Sequence, residues 1–502
     1  MIVRHQPLKL LTDTQVQQFL VNGFLVLNDE LPQSFHDTLR RQCAAVAERR
    51  GGNPGNNILP HVPALQAVFE SPAIKGALTS ILGPRFCMHP HRHMHENRNS
   101  AGGGWHKDSY WGYKRQMRHH RPWWVMIMYY PQDTTTEMGP TGVIPGSASH
   151  QTRDGDEGAL GVTGKAGTFF MIEYDIWHRA TPNTSGLERY MLKFEFIRLE
   201  APHQAAWNDA GSAWDPASEP AVPAAHRGMW RQQLNWLRGH GAPHRGPKLE
   251  PALALDEALK LLVSENPKDR ARAADELEHH GAEAASAVPV LAKALNDSYE
   301  PAALNAAYAL AAIGEPAVAA VGQVFLNAEP PARLNATYAL AAMGREAVPA
   351  LLEALRHADA SVRTHAAFAL GEIPGTGGDV REALERATRD EEAAVRQHAV
   401  EALSMKGAAS KASVPALLER LADPEDEVRF NAVLALARLG SSAAEAVEAL
   451  AGCLLDPNRY VRGYAVEALH QIGTPDALSV LIPYLKTARW CETTHTSSPF
   501  YP

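Results

Sequence analysis

The chain of 502 residues is too long for one hydrophobic core, which indicates several domains. Its composition, 45% hydrophobic and 21% charged, is typical of a soluble globular protein, and a formal net charge of -8 argues against nucleic-acid binding. Because we find no signal peptide and no apolar run near the roughly 18 residues that a membrane span needs, we expect a cytoplasmic protein without a membrane partner.

The first 200 residues begin with helices and continue with short segments rich in aromatic and β-branched residues, separated by Gly, Pro and Asn. Helices are predicted at 12–19, 34–49 and 72–82, and strands at 23–27, 86–96, 123–130, 142–144, 168–172 and 190–198. Helices followed by many short strands are typical of an antiparallel barrel or sandwich. We therefore assign residues 1–200 to one β-rich domain.

Residues 201–255 contain many Pro, Gly, Ala and His residues, and this composition indicates a linker. Within it, the segment 229–237 (MWRQQLNWL) is amphipathic. It predicts a short helix that anchors the linker on one of the two domains.

A repeat dominates the sequence from residue 256 onward. Each copy contains an Ala- and Leu-rich helix that ends at a glycine, and these glycines are Gly281, Gly314, Gly344, Gly375, Gly407, Gly440 and Gly473. Their successive spacings of 33, 30, 31, 32, 33 and 33 residues predict an all-α solenoid of about seven repeats over 256–486. Each glycine suits a left-handed C-cap. The pattern, with its Val-Arg pairs, resembles HEAT-like repeats of the phycobilisome-lyase type, which implies an interaction scaffold.

One position of the aligned repeats is polar against an Ala/Leu background. Its occupants are Arg272, Asn305, Asn335, His365, His398, Asn431 and Tyr464. Either these side chains bond backbone groups of the turns between repeats, or they form a ligand-facing stripe on the concave surface. The aromatic tail at 487–502 is expected to cap the last repeat or to fold back on the first domain.

The stretch 102–110 (GGGWHKDSY) carries His106 and Asp108 two residues apart. On a β-strand, residues i and i+2 face the same side, so this pair could hold one metal ion. The pattern alone is weak, because His357 and Asp359 repeat it elsewhere. A third ligand is available in His178, which follows a predicted strand. Two imidazoles and one carboxylate are the ligand set of non-haem Fe(II) sites, which leave positions for a co-substrate and O₂.

Arg189 heads the next predicted strand, eleven residues after His178. A guanidinium can hold a carboxylate by a planar two-point contact. An arginine on a strand beside the metal therefore predicts a dicarboxylate co-substrate, 2-oxoglutarate.

Over residues 10 to 200 the chain resembles the phytanoyl-CoA dioxygenase family of Fe(II)/2-oxoglutarate-dependent oxygenases. The resemblance is carried, in the family's order, by LTDTQVQQFLVNGFLVL, WHKD, the turn GPTGVIPGS, His178 and Arg189. It implies a double-stranded β-helix (jelly-roll) core, Fe(II) held by His106, Asp108 and His178, and 2-oxoglutarate paired with Arg189. It also implies release of succinate and CO₂ and oxidation of a substrate C–H bond.

The carboxylate of Asp108 bears on which type of oxidation is expected. Related halogenases carry a small residue there to make room for halide. Asp108 therefore favours hydroxylation, desaturation or ring closure over halogenation.

The histidines His89, His91, His93 and His95 alternate along the predicted strand before the iron motif. They form a second metal site, a polar wall for substrate or 2-oxoglutarate, or a solvent-facing row. His93 is a candidate substrate residue, and so are Trp105 and Tyr110, which flank the motif.

Three functions fit the sequence. In the first, the enzyme oxidises a small molecule and the repeats serve docking or self-association. In the second, the repeats recruit a protein or a carrier-bound substrate. In the third, the chain is a binding scaffold whose oxygenase is a weak relic. The sequence has no recognisable acyl-CoA element, so the substrate in the family's name is not carried over.

Overall fold

The computed structural model describes residues 6–108, 117–153, 155–215, 222, 224–240, 250–405 and 411–487. The predicted tail and Tyr110 lie outside these residues. The first region contains, in chain order, α1 (Asp13–Asn22), β1 (Phe24–Asn28), α2 (Gln33–Arg50), α3 (Ile58–His61), α4 (Leu65–Phe69), α5 (Pro72–Leu82), β2 (Phe86–Asn97), β3 (Trp124–Tyr129), β4 (Thr141–Val143), β5 (Leu160–Val162), β6 (Thr168–Glu173), β7 (His178–Ala180) and β8 (Arg189–Arg198).

The strands of the first region form two antiparallel sheets. The larger sheet has the order β1-β6-β3-β8-β2 and the smaller one the order β5-β4-β7. Every residue of β3, β6 and β8 is buried, so the larger sheet is covered on both faces at its centre. The two-sheet arrangement agrees with the predicted double-stranded β-helix.

Local sequence explains how the first elements begin and end. Thr12 caps α1 through a reciprocal pair of hydrogen bonds with Gln15, as the predicted N-cap cluster requires. Gly23 ends the helix in the left-handed conformation, with φ 74°, and β1 starts at the next residue. The strands β5 and β7, of three residues each, were not predicted.

The start of the predicted linker packs against the first region. Trp207 donates a 2.7 Å hydrogen bond to Asp13 of α1, and Asn208 bridges to Thr12. The anchoring helix is α6 (Arg227–Leu237). It contacts both parts of the chain: Trp236 packs on Trp123, with ring centroids 5.3 Å apart, and Arg231 pairs with Glu278 of the repeats. The sequence predicted contact with one domain only.

After α7 (Leu255–Leu261), the described part of the helical region consists of seven helix pairs. They are α8 (Pro267–His280) with α9 (Val288–Ala294), α10 (Glu300–Ile313) with α11 (Glu315–Asn327), α12 (Ala332–Met343) with α13 (Val348–Ala354), α14 (Ala360–Glu372) with α15 (Gly378–Ala387), α16 (Ala393–Ser404) with α17 (Val414–Arg420), α18 (Asp426–Leu439) with α19 (Val447–Cys453), and α20 (Arg459–Ile472) with α21 (Pro475–Thr487). None of the described helices has the length and apolar character needed to cross a bilayer.

Gly407 lies outside the described residues, and the other six repeat glycines have positive φ, but most differ from the predicted left-handed cap. Gly473 alone among the described C-caps of this set is left-handed, with φ 62° and ψ 9°. Gly281, Gly314, Gly344 and Gly440 combine positive φ with ψ between -130° and -138°. That backbone region is essentially restricted to glycine, so the residue type is still explained.

The Val-Arg pairs of the sequence build an ion-pair ladder along the solenoid. Arg363, Arg396 and Arg429 each bond, at 2.8 Å through Nε, the aspartate 27 residues later, in the turn that starts the next repeat. Each guanidinium also bonds backbone carbonyls at the start of its own helix. Neighbouring repeats are thereby held in register.

The polar column is largely structural. Asn335 donates to the Leu295 carbonyl at 2.9 Å, and Asn305 donates to Ala271 at 3.0 Å, both in preceding repeats. His365 bonds the hydroxyl of Thr337 at 2.8 Å. Arg272 departs from the set because it is exposed.

The Ala- and Leu-rich helices of the solenoid pack against the first region. The Tyr308 hydroxyl lies 2.8 Å from His120, and the Tyr338 hydroxyl accepts from the backbone N–H of Arg118 at 3.1 Å. Further along, the Arg438 guanidinium lies 4.8 Å from the Trp123 ring. The two parts therefore share an extensive interface, whereas the sequence suggested a separate scaffold.

Candidate metal centre

Three predicted ligands converge at one end of the smaller sheet. One ligand atom each from His106, Asp108 and His178 lies within 4.8 Å of the other two. His106 and His178 face each other in an antiparallel bridge, with both backbone N–H···O distances at 3.0 Å. Their ring centroids are 4.4 Å apart. The bridge explains how residues 72 positions apart present two imidazoles to the same point.

The third ligand, Asp108, is enclosed while the first is open to solvent. The Asp108 carboxylate lies 3.3 Å from His178 Nε2 and 4.0 Å from His106 Nε2. The Asp108 side chain is 2% exposed and the His106 side chain 47%. A ligand could therefore approach the centre past His106.

Hydrogen bonds to backbone carbonyls orient both imidazole rings alike, with Nδ1 toward the backbone. His106 Nδ1 lies 3.0 Å from the Gly104 carbonyl, and His178 Nδ1 lies 3.1 Å from the Ile176 carbonyl. A carbonyl only accepts, so each Nδ1 donates to it, and each Nε2 is turned toward the cluster, where a neutral imidazole offers its lone pair to a metal. Burial and the neighbouring His178 lower the pKa of His106, which favours the neutral form that a metal needs.

Lys107, between the two ligands, points away from the centre into the protein. Its ammonium donates to the carbonyls of Ser147 and Ala148 at 3.1 and 3.0 Å, and to that of Asp175. Burial, and next the charge of Arg118, lower the Lys107 pKa to about 7. These bonds fix the ligand strand to the turn that contains Ser147.

Lys193 touches the centre and was not identified from the sequence. Its Nζ lies 2.9 Å from Asp108 Oδ2 and 3.8 Å from Glu195 Oε1. Burial opposes ionisation of Asp108, but Lys193 and His178 outweigh it and hold the carboxyl pKa well below its usual range. Since Arg189 faces inward, strand alternation also places Lys193 and Glu195 inward, and this signal was available in the sequence.

Arg189 is buried and is the first residue of β8, the position at the head of a strand that was predicted for it. Its Nε and Nη2 donate to the Gly139 carbonyl at 3.1 and 2.6 Å, and Nη1 has no hydrogen-bond partner among the described residues. Gly139 has φ 68°, and a Cβ there would lie 2.6 Å from the Thr181 carbonyl oxygen. The positive φ and the close approach of this turn to Thr181 therefore require glycine at the residue whose carbonyl holds Arg189.

The predicted histidine row lies along β2. His93 is opposite Lys193 in the β2–β8 register, and its ring centroid is 4.0 Å from that of His95. Burial, followed by the Lys193 charge, lowers the His93 pKa to about 3. His89 instead pairs with the buried Glu195 at 3.1 Å. Among the described residues, the histidines of this row do not form a cluster with the spacing of metal ligands. The interpretation as a polar wall for substrate or 2-oxoglutarate therefore fits best.

Trp105 is not brought to the ligand cluster. Its ring stacks under the Arg179 guanidinium at 4.5 Å and lies near Gly142. Arg179 pairs with Gly142, and His178 pairs with Val143, so Trp105 lies on the face of the smaller sheet opposite to His178. Tyr110, the other aromatic candidate, lies outside the described residues.

The residues present fit an iron ion and a dicarboxylate. Two imidazole Nε2 atoms and one carboxylate form a donor set suited to Fe(II). The unpartnered Nη1 of buried Arg189 is a donor that an anionic group could satisfy.

Comparison with protein families agrees with this geometry. Residues 19–191 match the phytanoyl-CoA dioxygenase (PhyH) family. The first region is a PhyH domain. HEAT repeats match residues 255–341, 318–404, 348–427 and 414–493. The PhyH domain and its His-Asp-His cluster support an oxygenase of the iron/2-oxoglutarate type, joined to HEAT repeats.

Three solved structures are similar to part of the chain. The alpha ketoglutarate dependent carbocyclase SnoK from nogalamycin biosynthesis is 16% identical, with 39% of this chain and 88% of that chain covered and a TM-score of 0.33. EctD from S. alaskensis with bound Fe is 16% identical, with 42% and 86% covered and a TM-score of 0.33. HygX from Streptomyces hygroscopicus with iron bound is 12% identical, with 42% and 95% covered and a TM-score of 0.32. Comparison with curated proteins finds no match.

Proposed function

We propose that the PhyH domain is an Fe(II)/2-oxoglutarate-dependent dioxygenase that hydroxylates an unactivated C–H bond of its substrate, with release of succinate and CO₂. The observation that carries this proposal is the convergence of His106, Asp108 and His178, with both Nε2 lone pairs directed away from the backbone. Retention of Asp108 favours hydroxylation over halogenation.

Each residue has a distinct role in this proposal. His106, Asp108 and His178 would hold Fe(II), which when bound supplies the activation of O₂. Arg189 would bind the distal carboxylate of 2-oxoglutarate through Nη1, while its bonds to Gly139 keep the guanidinium in place. Tyr174 donates to the Asp108 carbonyl at 3.1 Å and holds the backbone of this ligand.

The second His-x-Asp of the chain provides a matched control for a test. Asp359 caps α14 by accepting a hydrogen bond from the Ser361 N–H at 2.8 Å. Its side chain is 44% exposed, and it serves as a helix cap and not as a metal ligand. With the full chain, Fe(II), O₂ and 2-oxoglutarate, we expect Asp108→Ala to reduce succinate formation at least about 100-fold, because a ligand is lost. Asp359→Ala should retain it.

Circular dichroism of both variants would establish that they are folded. Succinate formation near the wild-type rate in folded Asp108→Ala would contradict the assignment. Wild-type protein that forms no succinate with any of a panel of metabolites would favour the scaffold interpretation instead.

The wall beside the centre supports a polar substrate. His93 and His95 have pKa values lowered by burial, so both rings are neutral and can donate and accept hydrogen bonds. Asn53 contacts His93 at 2.8 Å and extends this wall. We propose that the substrate is a small or carrier-presented molecule with polar groups, for which His93 is a contact residue.

The docking of the repeats favours a small-molecule substrate over a protein recruited by the solenoid. The Ala- and Leu-rich helices that form one face of the solenoid already contact the PhyH domain through Tyr308, Tyr338 and Arg438. A protein partner would have to use another surface of the repeats. We propose that the repeats mainly hold the PhyH domain, and that any partner binds their outer helices.

A further inference from the structure

Lys193 is a buried cation that shares a carboxylate with the candidate iron ligands. It lies on β8 four residues after Arg189, and its side chain is 5% exposed. Its Nζ bonds Asp108 Oδ2 at 2.9 Å and lies 3.8 Å from Glu195 Oε1. A buried ammonium needs such carboxylates nearby, because a buried charge without an opposite charge beside it destabilises the folded protein.

The same contact brings Lys193 close to any cation that Asp108 binds. Charges a few Å apart in a buried site interact strongly, since water screens them weakly. The ammonium would therefore repel a divalent ion held by Asp108. For a dianion held beside that ion, the same ammonium would be attractive.

We propose that Lys193 is a positioning residue that weakens binding of the divalent metal alone and strengthens binding of the dianionic co-substrate to the metal-loaded centre. Lys193 thereby couples the two binding steps, so that metal is held firmly only together with the anion. This inference rests on the proposed function, because it requires the His-Asp-His cluster to bind metal.

Opposite changes in two affinities distinguish this role from a merely structural one. If Lys193 only supported the local fold, its loss would disorder Asp108 and weaken both metal and anion. If it acts through its charge, loss of the charge tightens the metal and weakens the anion.

The test uses calorimetry on the full chain, with Co(II) as the metal probe and 2-oxoglutarate titrated into Co(II)-loaded protein. We expect Lys193→Met to lower the Co(II) Kd and raise the 2-oxoglutarate Kd, each by roughly tenfold or more. Lys193→Arg, which keeps the charge, should restore both values toward wild type. Lys165→Met is the matched control, because it removes an exposed lysine paired with Asp133 at 2.7 Å.

Changes of both Kd values in the same direction, or no change, would overturn the inference while leaving the proposed function intact. Wild-type protein that binds no Co(II) would instead refute the proposed function, and the inference with it. If Lys193→Met does not fold, Lys193→Gln removes the charge with a polar side chain and is judged by the same two Kd values.

Discussion

The chain contains two clusters built from the same kinds of residue, and they serve different purposes. The metal centre combines His106 and His178 with Asp108. At the interface between the PhyH domain and the repeats, His119 lies between Glu372 and Glu401, at 2.6 and 3.0 Å. Both clusters combine imidazoles with carboxylates, so composition alone does not separate them.

The direction of the nitrogen atoms separates the two clusters. Both ring nitrogens of His119 contact carboxylates, so both donate and neither keeps a lone pair. Burial would lower the His119 pKa, but Glu401 and Glu372 outweigh it and raise the pKa to about 9. In the metal centre, burial lowers the pKa of His106 and Nε2 is available. A neutral imidazole with a free nitrogen identifies a ligand, and a charged one between two acids identifies an ion pair.

The largest expected effect is that a mutation in one cluster reduces metal binding, whereas a mutation in the other reduces stability. His106→Ala should weaken Co(II) binding at least about 100-fold with little loss of stability, because its side chain is 47% exposed. His119→Ala should do the reverse, since it removes the cation shared by buried Glu372 and Glu401 and leaves only Arg121 beside Glu372, at a cost of about 3 kcal/mol. Calorimetry and urea unfolding of both variants measure the two effects. Equal loss of metal binding in both would remove the distinction.

A pH dependence follows from the raised pKa of His119. Its value of about 9 in the folded chain exceeds the ordinary 6.5, so its contribution is fully present below pH 6.5 and is lost as the pH rises through 9. The shift corresponds to about 3 kcal/mol of unfolding free energy. Arg121 and His398 also face the two glutamates.

Urea unfolding of the full chain between pH 6 and 9.5 tests this dependence. His119→Gln, which cannot take up the proton, should have a flatter profile over the same range. A wild-type stability that does not fall between pH 6.5 and 9 would show that His119 is not charged at the interface.

Most of the metal centre could be predicted from the sequence because His106 and His178 lie on extended segments, although Asp108 lies just past the β-bridge at His106 and not on a strand. The i, i+2 spacing of His106 and Asp108 and the position of His178 after a strand required no tertiary information. Trp105 was misplaced for the same geometric reason: the immediate neighbour of an inward ligand on a strand faces outward. Applying the alternation strictly would have excluded Trp105 and included Lys193.

The docking of the repeats could not be predicted in this way. The repeat pattern identifies the helices and their order, but it does not indicate that one face is covered by the same chain. His119 lies more than 250 positions before Glu372, and no spacing rule connects them. The contacts depend on how the solenoid packs against the PhyH domain, which is a tertiary property.

The smallest expected effect concerns Tyr460 of α20, which contacts the histidine row of β2. Its hydroxyl bonds His91 Nδ1 at 3.1 Å, and its ring packs on His89 with centroids 5.4 Å apart. Tyr460→Phe removes only the hydroxyl, so we expect a loss of about 1 kcal/mol in unfolding free energy and an unchanged Co(II) Kd. Tyr484→Phe, at a half-buried position on α21, is the control for loss of a tyrosine hydroxyl. A changed Co(II) Kd in Tyr460→Phe alone would mean that the repeats act on the metal centre through the histidine row.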